Sequence, residues 1–131
     1  MKLYLQIFIV TAVVFLIIDG LWLGIVAWPF YQSQVGHLLK NVNSLAATVF
    51  YVIYVIGMIV FVINPNLSSF NLKRALIMGY LFGAICYATY DLTNMSTLKD
   101  WTWKLTIVDI IWGGFVTMTT TSLVTYLFKE V

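Results

Sequence analysis

Apolar positions fall in four long runs, and short polar clusters divide them. Residues 3–26 contain a single side chain of fixed charge, Asp19. They are long enough to cross ~30 Å of hydrocarbon as a helix. Residues 43–63 carry no charge. Residues 75–91 follow the bases Lys73 and Arg74 and, at about 17 residues, sit near the short limit for a span. The last run covers residues 105–128 and is closed by Lys129 and Glu130. A backbone in lipid must satisfy its own polar groups, so each run is expected to be a helix. At the first joint, Trp28-Pro29-Phe30-Tyr31 is expected to end the helix, because Pro29 disfavours helix at the residue before it and the aromatics suit the headgroup belt. Asn64-Pro65-Asn66 with Ser68-Ser69 reads as a turn. Asn94, Lys99, Asp100, Trp101, Trp103 and Lys104 belong to the last joint. The pattern predicts an all-α, polytopic membrane protein: a single domain over residues 1–131, folded as a four-transmembrane-helix antiparallel bundle.

Composition agrees. Only 9% of the residues are charged and 62% are hydrophobic, where soluble domains carry about 25% charged residues. The formal net charge of +2 is too small to suggest nucleic acid, so membrane lipid is the expected surrounding. Cys86 is the only cysteine, which leaves no intramolecular disulfide and no cysteine cluster for a metal. Residues 1–18 have one basic residue, an overlong apolar core and no small-x-small cleavage site, and are read as a retained first helix. Lys2, Lys73, Arg74 and Lys129 fall on the side of the termini; Lys40, Lys99 and Lys104 fall on the other. That margin favours cytoplasmic termini.

Three aspartates interrupt the apolar runs: Asp19, Asp91 and Asp109. A charged Asp near the centre of a membrane helix costs about 2.5–3.5 kcal/mol on insertion scales, so these carboxylates are the first candidates for function. Antiparallel threading places all three within ~10 Å of the same membrane face. Asp19-Gly20-Leu21-Trp22-Leu23-Gly24 and Asp109-Ile110-Ile111-Trp112-Gly113-Gly114 both read D-x-x-W-x-G, which sets each Asp and Trp on one helix face. The two copies run in opposite directions, in the manner of inverted repeats. On the third helix Tyr80, Ala84, Tyr87, Asp91 and Asn94 share a face; the second supplies Tyr51, Tyr54 and Met58.

These phrases, with Phe30-Tyr31, Phe50-Tyr51, Gly79 with Phe82-Gly83, Trp101 and above all Tyr87-Ala88-Thr89-Tyr90-Asp91-Leu92-Thr93-Asn94, carry a resemblance over nearly the whole chain. The chain resembles a family of small bacterial predicted inner-membrane proteins, domain of unknown function 2177. The resemblance implies a multi-pass protein of the bacterial inner membrane and brings no activity with it.

Each carboxylate also has a structural reading. Asp91 could be a hydrated helix end, Asp109 a first-turn acid favoured by the helix dipole, and Asp19 a hydrogen-bonded group fixing helix register. Trp28, Trp101 and Trp103 suit the interfacial belt, His37 lies in a polar loop and is not expected to be a ligand, and the Thr119-Thr120-Thr121 run is expected to bond to its own helix carbonyls. No H-E-x-x-H, phosphate-binding glycine loop, nucleophile elbow or C-x-x-C occurs, so no metal and no cofactor is expected. The functional expectation is a pocket near one membrane face formed by Asp19, Trp22, Tyr51, Tyr87, Asp91, Asn94, Asp109 and Trp112. It would bind or transport an amphipathic ligand, lipid-like or an organic cation, with binding coupled to protonation. Whether the chain is an enzyme stays open: a membrane enzyme using paired carboxylates on a lipid or isoprenoid is the alternative, and a structural subunit the third reading. Four short helices make a small enclosure, which suits a homodimer with Gly79 and Gly83 at its seam.

Overall fold

The computed structural model describes residues 1–130. Four helices follow one another: α1 (Lys2–Leu38), α2 (Ser44–Leu67), α3 (Leu72–Thr97) and α4 (Trp103–Phe128), each long and apolar enough to cross a membrane. No strand occurs among the described residues. Cross-chain pairs fix the antiparallel order. Tyr4 donates to Asn64 (2.9 Å) and Tyr51 to Asp19 (2.8 Å), so α1 and α2 run opposite ways. Gly79 lies against Met118, and Gly83 against Gly113, which does the same for α3 and α4. Three helices begin on a side-chain cap: Asn43 accepts from the Ala46 N–H (3.1 Å), Asn71 from Arg74 (3.0 Å) and Thr102 from Leu105 (3.1 Å). Such caps satisfy one of the first-turn donors that have no partner in the helix.

Two departures from the expected boundaries share one cause. α1 continues through Pro29 to Leu38, and α2 continues through Pro65 to Leu67. A proline inside a helix offers no N–H, and its ring presses on the carbonyl four residues back. In both helices the turn before the proline widens to a π-helical segment, Trp22–Ala27 and Ile59–Ile63. The Trp28 N–H reaches Leu23, and the Asn64 N–H reaches Ile59, each five residues back. In that register a carbonyl looks one residue further along the chain, past the missing donor, so the helix survives the ring. α3 also outruns residues 75–91, extending from Leu72 to Thr97, and Asn94 lies on the helix. Hydroxyls of Thr89, Thr93 and Thr97 bond back to carbonyls of their own helix (2.8, 2.6 and 2.9 Å). That keeps this polar end wound.

α3 and α4 form the tightest pair. A Cβ placed on Gly79 would come within 2.9 Å of the Met118 Cα, and one on Gly83 would collide with the Gly113 carbonyl and Thr117. Small residues let helix backbones approach closely in lipid. Gly79 and Gly83 are therefore buried against α4 of the same chain. α4 is the most buried helix; of the threonine run, the Thr119 and Thr121 hydroxyls return to their own helix carbonyls as expected, as does Thr125, whereas the buried Thr120 hydroxyl has no partner. α1 is the least buried and offers a narrow stripe, Ile7, Thr11, Phe15 and Asp19, at steps of four. Ile7 and Phe15 meet Tyr54, Met58, Val116 and Val124 in the apolar core. Outward positions such as Ile17, Ile53, Ile85 and Ile111 remain exposed, as a lipid-facing surface requires.

At the end of the bundle that holds the termini, the α2–α3 connection is stapled. Buried Asn66 accepts from the Arg74 Nε (2.6 Å) and donates to the Val62 carbonyl (2.7 Å), while the Arg74 Nη2 donates to the Ser69 carbonyl (2.6 Å). Asn66→Ala is expected to destabilise the protein by about 1–3 kcal/mol, because it strips a cation of its buried acceptor. Thermal unfolding in detergent would show this as a lowered midpoint; an unchanged midpoint would mean that the staple contributes nothing.

Candidate functional site

The inner stripe of α1 delivers Asp19 to the interior, where it is 6% exposed. Its two oxygens take different donors: Oδ2 accepts from the Tyr51 hydroxyl (2.8 Å) and Oδ1 from the Trp112 indole N–H (3.0 Å). Trp112 then stacks on Trp22, with centroids 4.4 Å apart and planes 9° from parallel. The two D-x-x-W phrases thus meet in space. Their symmetry is incomplete, because Asp109 accepts from the Tyr31 hydroxyl and the buried Trp22 Nε1 has no protein partner.

Around this network lies a cavity of about 460 Å³. All four helices line it: Asp19, Trp22, Leu23 and Tyr31 from α1, Phe50, Tyr51 and Tyr54 from α2, Cys86, Tyr87 and Tyr90 from α3, and Asp109 and Trp112 from α4. Eight of these side chains are aromatic and two are carboxylic; none is Lys, Arg or His. Phe50 and Tyr90, on α2 and α3, are its most exposed members (47% and 57%). Tyr51 lies seven residues from the start of α2, so the site sits about 10 Å from the helix ends that bear the α1–α2 and α3–α4 loops.

Six of the eight residues expected at the site line this cavity. Asp91 and Asn94 do not. Asp91 is fully buried one turn beyond Tyr87, beside Asp109 and the Trp101 indole, and neither of its oxygens has a hydrogen-bond partner. Asn94 is a further turn along α3 and half-buried; its backbone carbonyl accepts from Leu98 (2.7 Å). The reason is the continuation of α1. Tyr31, Val35 and Leu39 cover the end of the bundle and enclose a second hollow of about 100 Å³ with Tyr90, Trp101, Leu105 and Asp109. Gln34 accepts from Thr102 (2.7 Å), and His37 pairs with Asp100 (3.0 Å), which ties this arm to the α3–α4 loop.

Tyr31 and Tyr90 therefore belong to the site, although the sequence assigned neither. Tyr31 stood out only in the resemblance phrase Phe30-Tyr31, and ending the helix at Pro29 kept it away from the aspartates. Tyr54 did carry a signal, since it shares the stripe of Tyr51 and Met58. Trp103 is 66% exposed, consistent with an interfacial residue. Among the described residues, no group of three or more His, Cys, Asp or Glu side chains is placed to hold a metal ion.

A family model described as Predicted membrane protein (DUF2177) matches residues 4–127. The chain belongs to this family. No curated protein and no solved structure matches it. Membership makes this DUF2177 chain a membrane protein, consistent with its four spans, and leaves its activity to be argued from the cavity.

Proposed function

We propose that the cavity binds an amphipathic organic cation, an amine or quaternary ammonium with an apolar body, taken from the membrane for binding or transport. One observation carries this reading: two carboxylates and eight aromatic rings share a cavity that no basic side chain lines. Ring faces attract a cation within about 6 Å, most strongly where water is excluded. Asp19 and Asp109 supply the opposing charge, and the rings accept the apolar body. Tyr31, Tyr51 and Trp112 hold the carboxylates by hydrogen bonds, so the negative groups are oriented before the ligand arrives. A ligand already dissolved in lipid enters beside the exposed Phe50 and Tyr90. In this proposal the protein sits in the bacterial inner membrane with cytoplasmic termini, as its four bases against three favour, and the cavity lies toward the outer face.

The test is binding of benzyltrimethylammonium to the purified protein in detergent, read by tryptophan fluorescence. Asp19→Asn and Asp109→Asn are each expected to weaken binding about tenfold or more, the scale of one lost charge-assisted contact. If both variants bind like the wild type while folded, the proposal is wrong.

The adjacency of Asp91 and Asp109 favours one further reading, a lipid- or isoprenoid-modifying enzyme. Neighbouring carboxyls can pass a proton between them as acid and base, and stacked tryptophans can stabilise a carbocation. A lipid species made by the wild type and absent with Asp91→Asn would support it against simple binding.

A further inference from the structure

A second opening adjoins the cavity, and it differs in chemistry. Between α1 and α2 runs a groove of about 250 Å³, whose walls include Phe8, Ala12 and Phe15 on one side and Thr48, Tyr51 and Val55 on the other. Its one aliphatic hydroxyl, on Thr48, is bonded to the Ser44 carbonyl (2.8 Å). No charged residue lines it. Ala12 creates the hollow, because its neighbours along the wall are two phenylalanines. Tyr51 belongs to both spaces. Its hydroxyl faces Asp19 in the cavity, and its ring meets Phe15 edge-on in the groove, with centroids 5.9 Å apart.

We propose that the ligand is a single-chain amphiphile: its cationic head occupies the aromatic cavity and its alkyl tail lies in the α1–α2 groove. This inference rests on the cation-binding reading and adds the substrate class. Tyr51, the wall common to both spaces, places the groove next to the head site and selects the tail over other occupants. The groove follows α1 from Leu16 to Phe8, eight steps or about 12 Å at 1.5 Å per residue, and from Asp19 to Phe8 the path is about 16 Å, roughly half of the ~30 Å hydrocarbon layer. A chain laid there runs parallel to the lipid tails. A volume of about 250 Å³ spread over that length is too small for a helix of a second copy, which is about 10 Å across, and suits one chain. Lipid is as apolar as the groove walls. The tail therefore gains little from burial itself, and the groove acts by selecting shape and aligning the head with Asp19.

The test is positional. A dodecyltrimethylammonium carrying a diazirine at the chain terminus is irradiated with the full-length protein in phosphatidylcholine vesicles, and the adducts are mapped by mass spectrometry. Adducts are expected on the groove residues Phe8, Ala12, Leu16, Thr48, Val52 and Val55, and excess tetramethylammonium, which fills only the head site, should reduce them about tenfold. Ala12→Trp fills the groove and should remove these adducts while tetramethylammonium still quenches tryptophan fluorescence. Thr48→Phe, from the more exposed α2 side, provides the same test if Ala12→Trp does not fold. If tetramethylammonium binds but adducts scatter over the lipid-facing Ile9, Ile17 and Ile53, or persist in both variants, the tail assignment is overturned and the head site stands. If neither compound binds saturably, the cation-binding reading falls and this inference with it.

Discussion

Gly83→Leu is expected to leave little folded protein. The first added carbon would collide with the Gly113 carbonyl and the Thr117 side chain, both on the most buried helix. A side chain of this size cannot be absorbed by a rotamer change, because the obstacle includes backbone; α3 and α4 would have to separate. Overpacking a well-packed core costs about 1–3 kcal/mol where neighbours can adjust, and here a helix pair must move. Loss of the seam would also displace Tyr87, whose ring lies against Gly113, so the cavity wall goes with the fold. Size-exclusion profile and thermal midpoint in detergent measure the effect. A monodisperse variant that unfolds at the wild-type temperature would show that the seam is not where this bundle is held together.

Trp112→Ala is the second large effect, and it acts through three contacts at once. It removes the ring stacked on Trp22, the N–H that holds Asp19 Oδ1, and one wall of the cavity. Truncating a buried aromatic to alanine costs about 3–5 kcal/mol. Trp112 is only partly buried, so roughly 2–4 kcal/mol is expected from the same scale. Trp112→Phe separates the contributions in part, since it keeps a six-membered ring over Trp22 while deleting the donor and the rest of the indole. Hydrogen bonds between membrane helices average about 0.6 kcal/mol and reach about 1.7. The phenylalanine variant should therefore unfold close to the wild type and still bind benzyltrimethylammonium more weakly. Equal midpoints for Trp112→Ala and the wild type would contradict the assigned packing.

Much of this architecture was legible in the residues. Apolar runs with at most one charged side chain each located all four helices, because lipid tolerates few charged side chains and forces the backbone to bond within each segment. The layer shared by Asp19 and Asp109 followed from helix rise and alternating direction, and the repeated D-x-x-W spacing pointed to the two tryptophans that stack. What escaped was set by features with little local signature. The prolines looked like stops because the wide turns that accommodate them leave no mark in the hydrophobic pattern. With α1 ended too early, Tyr31 lay beyond the site, and nothing suggested that a helical arm would fill the space beside Asp91 and Asn94. Gly79 and Gly83 did announce a close contact. Their spacing cannot tell a partner helix in the same chain from one in another, and the choice of α4 became clear only with Gly113, Gly114 and Thr117 opposite them.

The segment Trp22–Ala27 also sets the helical phase of everything after it. A single wide turn is equivalent to one inserted residue, which rotates the following side chains by about 100° relative to a uniformly wound helix. That rotation keeps Ala27, Tyr31 and Val35 in line with the Ile7, Thr11, Phe15 and Asp19 stripe at steps of four, where an ordinary helix would drift off the interior. Wound evenly, α1 would carry the Tyr31 hydroxyl roughly a quarter turn away from Asp109. The cavity then loses its roof without the exchange of a single side chain.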